Sequence, residues 1–123
     1  MKNQNWWQSF KNAIDGLVFA FKTQRNFKVH LVISFLVLIF SLWLSISLEN
    51  FLFLLLAIFL GLTVEMANTA FEKTLDAVNG SYDPKIKIAK DVAAGMMLLM
   101  AVGLALIGLL ILLPLFLAKI GFR

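Results

Sequence analysis

Residues 51–78 read FLFLLLAIFLGLTVEMANTAFEKTLDAV, and the change of character inside that stretch decides where the chain must sit. Phe51 to Val64 carries no charge, whereas Glu65, Asn68, Glu72 and Asp76 then follow at offsets of three, seven and eleven. At about 100° per residue these offsets put the four polar side chains on one narrow stripe of a helix, with Thr69 beside it. No Gly or Pro interrupts Glu65 to Asp76, so the helix is expected to run through Ala77 until the cluster Asn79-Gly80-Ser81-Tyr82-Asp83-Pro84 stops it.

Outward from this stretch the apolar character repeats. Leu31 to Leu48 has no charge and is just long enough to cross a hydrocarbon core as helix, and Glu49-Asn50 makes a short polar break before Phe51, the pattern of a helical hairpin. Val92 to Ala118 is a third apolar run, punctuated by Gly95, Gly103, Gly108 and Pro114, residues that spanning helices tolerate. Ahead of the spans, Trp6, Trp7, Phe10, Ala13, Ile14, Leu17, Val18 and Phe21 recur at three-and-four spacing, opposite Gln8, Lys11, Asn12, Asp15 and Lys22. That segment reads as an interfacial amphipathic helix over about 6–24, packed on its own spans, on the membrane surface, or both. The expectation is a single all-α membrane domain over 1–123, with spans at about 31–48, 51–77 and 92–118.

Composition agrees. Of 123 residues, 61% are hydrophobic and 15% charged, outside the range of water-soluble domains. The absence of cysteine removes disulfides and thiolate chemistry, and a lone His30 cannot build a histidine metal cluster. The net charge of +4 forms no dense stripe with the aromatics, which argues against a nucleic-acid partner. Instead the basic residues gather at Lys2, Lys11, Lys22, Arg25 and Lys28, and again at Lys73, Lys85, Lys87 and Lys90, while the Glu49-Asn50 break has none. The positive-inside rule then makes the N-terminus and a loop from about Lys73 to Asp91 cytoplasmic, in a multi-pass protein of the plasma membrane, with Lys119 and Arg123 on the far side.

The polar stripe calls for a reason. An ionisable group at mid-bilayer costs roughly 2.5–3.5 kcal/mol by insertion scales, less near the interface, and helix stability gains nothing from it. Three carboxylates on one stripe repel one another unless a cation, a basic group or a proton intervenes. Hard oxygen donors without His or Cys point to magnesium, which usually takes one or two carboxylates together with substrate phosphates. The plainer reading, a solvated face paired with Lys73, Lys87 or Lys90, stays open, most of all for Asp76. Lys90-Asp91, where the third span enters the membrane, could supply a phosphate-binding ammonium and its orienting carboxylate. None of the seven glycines belongs to a Walker loop or a dinucleotide fingerprint.

Val64-Glu65-Met66-Ala67-Asn68-Thr69-Ala70-Phe71-Glu72, then Asp76, then Ala89-Lys90-Asp91, resembles the small prokaryotic diacylglycerol kinase family, whose Gram-positive members are undecaprenol kinases. The likeness extends from about Gly16 to the third span, through Phe27-Lys28-Val29-His30, Trp43 and Tyr82. It implies a homotrimer that phosphorylates a lipid hydroxyl with ATP at the cytoplasmic interface. By motif position Glu65 would be the general base. Glu72 would hold Mg2+ against the nucleotide, Asn68 would position phosphate or lipid hydroxyl, and Lys90 would stabilise the transferred group. Asp76, Tyr82, Asp83 and Asp91 would lie near the nucleotide, and Trp43 near the lipid.

One position departs from the pattern. Where the family has Glu, a basic residue and Asn before the first span, this chain reads Gln24-Arg25-Asn26. In the family that glutamate is a second metal ligand that also faces the nucleotide; glutamine keeps its shape but not its charge, so metal affinity should fall. Natural variation with another group compensating and an inactivating replacement both remain open. The segment Asn26 to Leu31 looks like the Gram-positive branch, which makes undecaprenol the expected acceptor and diacylglycerol the alternative. A rival of another class is a non-enzymatic oligomer whose Glu65 and Glu72 form a cation-binding ring.

Overall fold

The computed structural model describes residues 5–78 and 83–121, and among them every regular element is helical. The elements are α1 (Trp6–Thr23), α2 (Arg25–Trp43), α3 (Leu48–Val78) and α4 (Pro84–Lys119). The last three are long and apolar enough to cross a membrane. α3 is the centre of the arrangement, packing chiefly on α4 and next on α2, while α1 meets α2 and α3 more lightly.

The α2–α3 hairpin turns earlier than the polar pair suggests. α2 ends at Trp43, Ser45 takes a left-handed conformation with φ 55°, and α3 has already begun at Leu48. Ser47 is the reason: its Oγ accepts the Asn50 N–H at 3.3 Å and its carbonyl accepts the Phe51 N–H at 3.0 Å, which is an N-cap. Glu49 therefore lies in the first turn of α3, where a negative charge faces the positive end of the helix dipole. At the other end of the bundle α2 starts at Arg25, and a single non-helical residue, Gln24, separates it from α1.

The segment expected on the cytoplasmic side, from about Lys73 to Asp91, is helical at both of its ends. α3 continues to Val78, and α4 starts at Pro84 with Asp83 as its cap, the carboxylate accepting the Lys85 N–H at 2.8 Å. Proline at the first helical position costs nothing there, because its missing N–H would have no partner. Tyr82, expected near the nucleotide, lies outside the described residues.

The apolar core sits toward the hairpin end. Leu44, Leu54 and Leu112 are buried, with Val37, Phe40, Ile46, Ile111, Leu115 and Phe116 packed around them. Trp43 joins this end by stacking on Phe40, and Lys119 lies over its ring and donates to its carbonyl oxygen. The outer helix is more open: Leu112 is the one buried residue of α4, and large apolar side chains cover the outside of all the helices. Such a surface needs lipid or other protein against it.

Replacing Ser47 with alanine removes the α3 cap and should destabilise the protein by about 1 kcal/mol. Reversible unfolding in detergent micelles checks it, with Ser47→Asp expected to keep most of the wild-type stability.

Candidate functional site: a buried carboxylate at the head of an apolar groove

The polar stripe of α3 survives in three dimensions, and it is graded. Glu65 is 3% exposed, Asn68 7% and Thr69 6%, whereas Glu72 is half-buried and Asp76 open to solvent. Thr69 accounts for its hydroxyl locally by donating to the Glu65 carbonyl at 3.0 Å. Asn68 donates its amide to Glu72 Oε1 at 3.1 Å, which orients that carboxylate, but its own Oδ1 is buried without a partner. An orphaned acceptor of this kind is costly, and it is normally matched by a donor that the protein alone does not supply.

Beyond Glu65 lies a groove of about 580 Å³ between α2, α3 and α4. It is lined by apolar groups of all three helices, including Leu54, Ile58, Leu98 and Leu104, with Asn26, His30, Ser34 and Glu65 as its polar or titratable members. Gly61 fixes the register. A Cβ built on it would overlap the His30 imidazole and come within 2.7 Å of Leu104 Cδ1, so these two side chains rest on the bare backbone of α3. Since α2 and α3 run antiparallel, Asn26 then stands level with Glu65, His30 with Gly61 and Ser34 with Ala57, each level about 6 Å from the next.

The basic partner of the stripe comes from α4. Lys90 Nζ pairs with Asp76 Oδ1 at 2.8 Å, while Asp91 turns to Lys87 at 2.7 Å. The carboxylate that orients Lys90 is thus Asp76, not its neighbour Asp91. Both pairs are exposed, so they contribute little to stability and are sensitive to salt. What the Asp76 pair does is hold an ammonium one turn beyond Glu72, next to the acidic stripe.

The other expected residues are more scattered. Gln24 occupies the elbow between α1 and α2, where its side-chain amide donates to Thr23 Oγ1 at 3.2 Å. No described contact joins it to Glu65 or Glu72. Asp83 caps α4. Trp43 is half-exposed at the hairpin end, well over 20 Å along α3 from Glu65 by helical rise, and does not line the groove. The groove wall formed by Asn26, His30 and Ser34 went unread as a unit, although their spacing of four along α2 was available as a signal.

Among the described residues no three His, Cys, Asp or Glu side chains gather to hold a metal by themselves. Magnesium does not require that, because it retains waters and shares its shell with phosphates. Glu72 and the unpartnered Asn68 Oδ1 present the hard oxygen donors that such an ion takes, so the residues fit it.

A family model described as prokaryotic diacylglycerol kinase matches residues 11–112. Undecaprenol kinase of Bacillus subtilis (strain 168) is 36% identical over 109 residues, which is 89% of each chain. Diacylglycerol kinase of Synechocystis sp. (strain ATCC 27184 / PCC 6803 / Kazusa) is 37% identical over 119 residues, covering 90% of this chain and 68% of that protein. These relatives set aside the non-enzymatic oligomer: the chain belongs to the prokaryotic diacylglycerol kinase family and is a lipid kinase.

Proposed function

We propose that this chain carries out ATP- and magnesium-dependent phosphorylation of a primary hydroxyl on a membrane lipid, at the cytoplasmic interface. The observation that carries the reading is a carboxylate, 3% exposed, at the head of an apolar groove and beside a second carboxylate held by Asn68. An apolar tail enters the groove, and its hydroxyl comes to rest between Glu65 and Asn26. Glu65 takes the hydroxyl proton as the oxygen attacks the γ-phosphorus; the new P–O bond forms while the bond to the ADP oxygen breaks.

Glu72 and Asn68 Oδ1 would hold magnesium, which when bound with ATP offsets the negative charge of the phosphates. Asn68 positions Glu72, Asp76 positions Lys90, and the Lys90 ammonium faces the transferred group. Asp83 and Asp91 border the nucleotide. Gln24 stands at the family's second metal-ligand position with a neutral amide, which weakens metal binding. Undecaprenol is the preferred acceptor, supported by the 36% identity to the Bacillus subtilis undecaprenol kinase and by the segment Asn26 to Leu31; diacylglycerol is the second reading, supported by the Synechocystis relative.

The same reading places α1 on the membrane surface through Trp6, Trp7 and Phe10, with the N-terminus cytoplasmic and the C-terminus opposite. It makes the active unit a homotrimer. The support is the apolar surface that one copy of the chain leaves open, above all along α4, and the exposure of Asp76 and Lys90 beside the acidic stripe.

Glu65→Gln keeps the size of the side chain and removes the base. It should lower kcat by about 10²–10⁴-fold in a phosphoryl-transfer assay with magnesium ATP and undecaprenol, while the helical content by circular dichroism is unchanged. Asn68→Ala releases Glu72 and should lower kcat/KM by about 10²-fold with little loss of thermal stability. Gln24→Glu should raise activity and lower the magnesium concentration needed for half-maximal rate; an unchanged magnesium dependence would remove Gln24 from the metal site.

A further inference from the structure

Gly61 lies between the head of the groove and its deep end, one helical turn below Glu65. It is itself buried and does not line the groove; His30 from α2 and Leu104 from α4 meet over it and form the wall instead. Three helices therefore converge at one level. On the Glu65 side the groove carries Asn26 and Met100; on the far side it is lined by Ser34, Val37, Leu54 and Ile58. A lipid whose hydroxyl reaches Glu65 must pass its next few carbon atoms across the His30–Leu104 face.

The geometry points to His30 as a specificity-determining residue: with Leu104 it forms a waist that admits one hydrocarbon chain below the reacting hydroxyl and disfavours an acceptor that branches into two chains there. The inference rests on the lipid-kinase reading above and deepens it. Two features carry it beyond an ordinary packing role. The imidazole is the one titratable group of the groove apart from Glu65, and it makes no hydrogen bond among the described residues, so polar pairing does not explain its presence at this level. Its ring and Leu104 rest together in the space that a Cβ on Gly61 would otherwise occupy, so at this level they, and not α3, form the floor of the groove, and the height of that floor follows from the size of residue 30. A two-chain glycerolipid divides within a few atoms of its hydroxyl, at the depth of the waist. A prenol does not divide there.

The test uses the full-length chain in detergent micelles, with geranylgeraniol as the single-chain probe and dioctanoylglycerol as the two-chain probe. Binding is read as the rise in thermal midpoint over a lipid titration, and phosphorylation by magnesium ATP is followed in parallel. Wild type should bind geranylgeraniol the more tightly. His30→Ala, which bares the α3 backbone, should shift the ratio of apparent affinities toward dioctanoylglycerol by about tenfold, with the response to magnesium ATP unchanged. Gly61→Ala should push the imidazole into the groove and weaken both lipids, and combining it with His30→Ala should restore binding. A ratio that is the same in wild type and His30→Ala, or a Gly61→Ala effect that persists without the imidazole, overturns the waist. Neither lipid binding nor being phosphorylated, even after Gln24→Glu, overturns the lipid-acceptor reading itself and the waist with it.

Discussion

A carboxylate buried among apolar side chains organises this protein. Glu65 follows directly on the apolar half of α3 and is almost wholly removed from solvent, yet no ion pair of its own compensates it among the described residues. An uncompensated acid of that kind weakens a fold, so its presence requires another use for it. The rest of the site follows from that placement. Asn68, one turn on, spends its amide on Glu72 rather than on Glu65 and leaves its carbonyl oxygen open. The charge is thus graded along a single helix, from a buried acid through a held acid to a solvated one, over the distance in which the surroundings change from hydrocarbon to water.

That gradient separates the two halves of the chemistry. The apolar end of the groove suits a lipid tail and the open end suits a polyphosphate, and the reacting oxygen has to lie where the two meet. On the proposed reading positioning would do much of the catalytic work, because neither reactant could settle in the other's compartment. Lys90 reaches this boundary from α4, and its exposed pair with Asp76 lets it exchange one anionic partner for another at little cost.

Much of this was legible in the residues. The stripe at offsets of three, seven and eleven requires only helical geometry, and the apolar runs required a membrane. The three-and-four spacing gives a helix over about 6–24, which is α1 (Trp6–Thr23), and the short polar break gives the hairpin. What misled was local chemistry. Glu49-Asn50 looks like a break because both residues are polar, but a serine cap two residues earlier draws them into the helix, and the turn falls on Ser45, whose left-handed backbone no sequence pattern announces. The basic segment before the third span looked like loop because charge obscured a proline-started helix. The partner of Lys90 could not be read at all, since it depends on how α4 lies across α3. Trp43 kept its aromatic character but belongs to the other end of the bundle.

That far end has a mechanical consequence. Lys119 reaches from the end of α4 to the Trp43 ring and carbonyl at the end of α2, with Phe40 stacked on that ring and Phe116 tilted against both, so α2 and α4 are pinned together below the hairpin. Among the described residues, the side-chain fastening between α3 and α4 at the opposite end is the solvated Lys90–Asp76 pair. A bundle riveted at one pole pivots about it, and a small rotation there is magnified along the length of α3. Any widening of the mouth would then take the form of a tilt of whole helices about an aromatic fulcrum.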